Sequence, residues 1–223
     1  MQKWINFFLA LIKWPLAVGM IFMIFPAIKT DIMILYNGLT SSVLLCFFLP
    51  LLLMVLLWLF VKRLGDALPF ILEHELTHMI FALLTFHIPQ DITIRRGQGG
   101  YFSFLGRGNW LISLSPYFFP TSAAIVIALG GFYALMGQPI PAGYLIILGI
   151  MTGLHLVSTL DQIHLKQTDF REAGYLFTIL FLPGINLITY GLLMGYACHG
   201  FSGFALYIQE LVNQTRLFTA IFG

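Results

Sequence analysis

The stretch VLLCFFLPLLLMVLLWLFV, residues 43–61, holds no charged side chain and ends against the basic pair Lys62-Arg63. As an α-helix it would rise about 28 Å, close to the roughly 30 Å of hydrocarbon in a bilayer. The rest of the chain has the same character. Of 223 residues 59% are hydrophobic, 22 are Phe and 9% are charged, against about a quarter charged in a soluble domain. A chain this short has no large interior in which to hide such surface, so its solvent is lipid and a soluble globular protein is excluded. The net charge of +2 comes from basic residues scattered singly or in pairs, which leaves no footprint for nucleic acid. Cys46 and Cys198 both lie in apolar runs, where a thiol acts as a small hydrophobe rather than part of a disulfide framework or a CxxC site.

Outward from this span the sequence predicts an all-α integral membrane protein, one domain over residues 1–223 with about six transmembrane helices. Their expected extents are about 5–28, 34–61, 67–87, 109–136, 142–160 and 170–197. The first is read as a retained helix rather than a signal peptide, because it contains Lys13 and Pro15 and lacks a small-x-small cleavage site. The third is expected to start with Asp66 as N-cap and Pro69 in its first turn. A short membrane-associated β-hairpin is expected at about 91–105, where Ile92-Thr93-Ile94 and Tyr101-Phe102-Ser103-Phe104 alternate around a Gly-rich turn. Pro183-Gly184 is expected to interrupt the sixth span, and the tail from Phe201, mixed in polarity, to lie along the interface. Alternating the helices puts Lys29, Arg95, Arg96, Arg107, Lys166 and Arg171 on one side and Lys3, Lys62, Arg63 and Arg216 on the other. That excess favours a cytoplasmic hairpin.

The third helix carries Glu73-His74-Glu75-Leu76-Thr77-His78, an H-E-x-x-H motif. One helical turn apart, His74 and His78 present two imidazoles to one Zn²⁺, and Glu75 stands beside them to take a proton from the attacking water. From the His and Glu content, about 0.003 such motifs are expected by chance. A carboxylate at the centre of a membrane helix costs about 2.5–3.5 kcal/mol, so such groups usually face a cavity and have a task. The competing reading is that the His and Glu side chains satisfy one another as interhelical hydrogen-bond partners without metal. Glu73 points about 100° away from His74 and reads as an outer or interfacial group.

A catalytic zinc takes three protein ligands and leaves its fourth position to water. The remaining candidates are His155, Asp161, His164, Asp169 and Glu172, all in or beside the junction between the fifth and sixth helices. Each has a plainer reading: His155 as a hydrogen-bonded core residue, His164 as a solvated loop group, Asp161 and Asp169 as helix-terminal residues, and Glu172 as a first-turn acid.

With these residues the chain resembles the site-2 protease family of intramembrane zinc metalloproteases, in particular its compact bacterial members. The resemblance covers residues 74 to about 186. It rests on H-E-x-x-H in a membrane helix, the Gly-rich hairpin after it and an Asp supplied from a later helix. It implies Zn²⁺ held by His74, His78 and Asp169, with Asp161 as the next choice of third ligand and Glu75 as the catalytic base. The residues after the two Asp are Gln162 and Phe170 where the family has Gly, and Leu114-Ser115-Pro116-Tyr117 shares only its Pro with the family's Ala-Gly-Pro. The implied activity is hydrolysis of peptide bonds in membrane-protein or membrane-peptide substrates, in a multi-pass protein of the bacterial inner membrane. Two other readings are a zinc protease of the prenyl-protein or heat-shock type, with Glu172 or Glu210 as third ligand, and a non-catalytic zinc-binding scaffold or small transporter.

Overall fold

The computed structural model describes residues 1–61, 64–65, 67–95, 99–141, 143–164 and 167–222, with side chains to residue 220. Asp66, proposed above as a cap, lies outside the described residues, as do Lys62, Arg63, Arg96, Lys166 and Gly97-Gln98 of the hairpin turn.

The protein is mostly helical, with one two-stranded antiparallel sheet. Helix α1 (Gln2–Gly38) is followed by α2 (Ser41–Phe60) and the motif helix α3 (Leu68–Leu84). Strands β1 (Pro89–Arg95) and β2 (Gly99–Phe104) come next. Then α4 (Trp110–Tyr117) and α5 (Thr121–Leu135) form a pair bent by 80°. They are followed by α6 (Tyr144–Gln162), the short α7 (Thr168–Ala173), α8 (Tyr175–His199) and α9 (Ser202–Phe222).

Four of these, α1, α2, α6 and α8, are long and apolar enough to cross a membrane, or five if the bent α4–α5 pair counts as one span. The expected six included the motif helix, but α3 has only 17 residues and does not run from one end of the bundle to the other. It starts where Ser158 of α6 donates to Phe70 O (3.2 Å) and Gly65 abuts the Asp161 carboxylate. It ends where His87 Nε2 donates to Arg107 O (2.9 Å), whose carbonyl also accepts from Asn6 of α1 (2.8 Å).

Those two places share one end of the bundle. Helices α1 and α8 run parallel, with Met20 O beside Gly184, Asp31 beside Gly191 and Gly38 beside His199. The start of α1 is therefore level with the start of α8, and α7, immediately before it, meets α4 and α3. Gln2 and Asn6 bind the carbonyls of Leu105 and Arg107 after the hairpin. This places Lys3 on the hairpin's side, whereas alternating six spans had put it on the opposite one. That alternation had treated α3 as a full crossing.

Small residues allow the close helix approaches that lipid-embedded packing requires. A Cβ at Gly184 would strike Met20 O, and one at Gly149 would strike Phe47 O. The Pro183-Gly184 pair thus does not interrupt α8, which runs unbroken through it, because the missing side chain seats α1. In α2 a π-helical turn over Leu44–Phe48 precedes Pro50, absorbing the hydrogen bond that Pro cannot make and its clash with the preceding turn. The tail does not lie apart along an interface. Helix α9 packs antiparallel to α8 and α1, with Gly203 against Gly195 and Phe218 beside Phe25 (ring centroids 5.3 Å).

The fourth expected helix is broken after Tyr117. Asn109 caps α4 by accepting from the Leu111 and Ile112 N–H groups, both at 3.1 Å. The tight turn Ser115–Tyr117 around Pro116 then redirects the chain into α5. The sixth expected span is divided as well. Gly174, at φ 88°, breaks α7 from α8, a conformation that suits a residue without Cβ.

Candidate metal centre

Helix α3 turns Glu75 and both imidazoles of the motif toward a polar cavity of about 990 Å³, enclosed by the hairpin, α4 and the segment leading into α7. Its lining includes His74, Glu75, His78, Gly100, Asp169 and Glu172. His74 and His78 Nε2 are 3.1 Å apart, and each lies 3.5 Å from Asp169 Oδ2. Among the described residues, this is the one trio of His, Cys, Asp or Glu whose ligand atoms all lie within 4.8 Å of one another.

The donor set fits a zinc ion. Ligand bonds of 2.0–2.1 Å in a tetrahedron place neighbouring donor atoms about 3.3 Å apart, and the three observed separations bracket that value. His78 Nδ1–H donates to Ile112 O at 2.8 Å, so with a metal bound the neutral ring would present its Nε2 lone pair to the centre of the trio. Burial pushes the Asp169 carboxyl up, but hydrogen bonding and charge attraction from His74 and His78 outweigh it and hold the group below the ordinary carboxylate range. The arrangement thus favours the anionic form of Asp169, the form a metal ligand must take.

Glu75 is 6% exposed, and Gly100 of β2 presses against it. A Cβ at Gly100 would overlap the Glu75 carboxylate. The hairpin therefore closes one side of the cavity directly over the motif's acid. Gly100→Val would therefore have to displace Glu75 or lift β2.

The other sequence candidates separate in space. Asp161 accepts from Trp58 Nε1 at 2.9 Å and lines the cavity without joining the trio. Glu172 accepts from Ser113 Oγ at 3.2 Å, and His164 lines the cavity as well. Glu210 accepts from Gln214 in α9 (2.7 Å), away from the cavity. His155 and Glu73 face each other instead, with His155 Nδ1 3.7 Å from Glu73 Oε1. The Ser122 N–H at the start of α5 also donates to Glu73 Oε1, at 3.3 Å. Glu73 is thus an interhelical anchor behind the motif, in keeping with its angular offset from His74.

Two participants were not foreseen. Tyr117 donates to Asp169 Oδ2 at 2.8 Å and sets its ring edge-to-face on His74, and the carbonyl of Ile112 orients His78. Both come from residues 110–117, a stretch whose sequence reads as the start of an apolar helix around Pro116. A backbone acceptor leaves no residue-type signal, and a lone Tyr in an apolar segment reads as core. Comparison with protein-family models, with curated proteins and with solved structures finds no match to this chain.

Proposed function

We propose that this chain is an intramembrane zinc metalloprotease that hydrolyses peptide bonds of membrane-protein or membrane-peptide substrates. The observation that carries the reading is the convergence of His74, His78 and Asp169 on one point beside Glu75, in a cavity inside a chain built from long apolar helices. The chain sits in a bacterial inner membrane with four or five crossings, and the hairpin lies at the membrane edge beside the cavity mouth.

A zinc ion bound there would supply Lewis acidity to polarise the scissile carbonyl and activate water. The protein's own groups do the rest. His74, His78 and Asp169 would hold the ion, with His78 kept in one tautomer by Ile112 O. Glu75 takes the proton of the attacking water and delivers it to the leaving amine. Polar groups lining the cavity admit water to a site that apolar helices would otherwise keep dry. An extended substrate segment pairing with the hairpin edge would satisfy its own backbone groups while exposing a peptide bond.

Metal removal tests the reading. Cleavage of a membrane-peptide substrate by the detergent-purified protein is expected to stop on dialysis against a chelator and return on addition of zinc. Cleavage that survives complete zinc removal would overturn it.

A further inference from the structure

Asp169 is the least constrained of the three converging groups. It sits in the first turn of α7, a six-residue helix whose N-cap residue, Gln167, makes no side-chain cap bond. Its carboxylate has two chemically equivalent oxygens, so the short helix alone does not dictate which oxygen faces the imidazoles. One atom, Oδ2, nevertheless meets all three neighbours: the Tyr117 hydroxyl at 2.8 Å and the two imidazole Nε2 atoms at 3.5 Å.

Tyr117 is itself held rigidly. It has no exposed surface, and its ring stands between His74 (centroids 5.2 Å, edge-to-face) and Phe170 (4.6 Å). Its backbone belongs to the tight turn that ends α4, the segment whose Ile112 carbonyl also orients His78. A single short segment, capped by Asn109, thus touches all three groups from outside: His74 and Asp169 through Tyr117 and His78 through Ile112.

We propose that Tyr117 is a positioning residue of the metal centre: its hydroxyl selects Oδ2 of Asp169 as the oxygen that faces His74 and His78. The inference rests on the metal-centre reading above. A hydrogen bond onto that oxygen also draws charge from the carboxylate, so the hydroxyl tunes the Lewis acidity of the ion held there. Phe170, which follows Asp169, serves the same arrangement by backing the tyrosine ring.

The test is cobalt titration of the full chain in detergent, followed by the visible absorption that reports the ion's ligand field. Tyr117→Phe keeps the ring between His74 and Phe170 and removes only the hydroxyl. It is expected to weaken cobalt binding about 10- to 100-fold, the usual effect of losing an outer hydrogen bond, and to change the absorption bands, while the metal-free protein melts as wild type does. A second variant carries 3-fluorotyrosine at position 117, which keeps the size nearly unchanged and makes the hydroxyl a stronger donor. Its bands are expected to shift in the opposite sense. Binding within twofold of wild type and identical bands in both variants would overturn the role of Tyr117. Should the Phe variant fail to fold, the fluorinated one decides alone. A wild-type protein that takes up no cobalt and no zinc overturns the metal-centre reading, and this inference with it.

Discussion

Glu75→Gln is expected to abolish substrate cleavage and leave the metal in place. Glu75 sits one residue after His74 and lines the same cavity without belonging to the converging trio, so removing its charge takes away no ligand. Glutamine has nearly the same size and preserves the packing against Gly100, but it is not basic enough to accept a proton from water. Loss of a positioned general base typically costs about 10²- to 10⁴-fold in rate. The measurement is turnover of a membrane substrate in parallel with the zinc-to-protein ratio. A Gln variant with near wild-type turnover would remove Glu75 from the mechanism, and loss of zinc along with activity would make it a ligand rather than a base.

The second large effect separates two acids that the sequence left close together. Asp169→Asn exchanges an anionic donor for a neutral one at the trio while leaving an oxygen to accept from Tyr117. Zinc affinity is expected to fall by more than the roughly 100-fold that loss of an outer partner can cost. Asp161→Asn preserves an acceptor for Trp58 Nε1 and is expected to leave both zinc content and cleavage unchanged. The comparison needs only metal analysis of the two purified variants. The reverse pattern, with zinc lost on changing Asp161, would move the third ligand to the end of α6.

What was legible in the chain was what periodicity and residue type encode. Uncharged stretches marked α6, α8 and the end of α2 to within about five residues, although the expected start of α2 at 34 falls inside α1, and alternation around a Gly-rich turn marked the strands, which pair with Ile92 opposite Phe102 and Thr93 opposite Tyr101. His74 and His78 share a helix face because of their spacing alone. The proximity of Asp169 rested on a family resemblance, and the geometry now supplies a direct reason to prefer it over Asp161. Less legible were features set by partners distant in sequence. Helix α1 runs ten residues past its expected end, through Lys29 and Asp31 to Gly38, because α8 and α9 pack along its later turns. The bend after Tyr117 and the position of α3 at one end of the bundle follow from tertiary hydrogen bonds of Asn6, Arg107 and Ser158. No local pattern announces those bonds. Tyr117 was hidden for the same reason, since its partner lies 52 residues away.

X-ray absorption at the zinc edge of the purified wild-type protein tests the central claim most directly. One zinc per chain is expected, in a first shell of nitrogen and oxygen at about 2.0–2.2 Å, with the outer scattering of two imidazoles and no sulfur. A well-folded sample that contains no zinc, or one whose zinc is bound by sulfur or by a single imidazole, would contradict it.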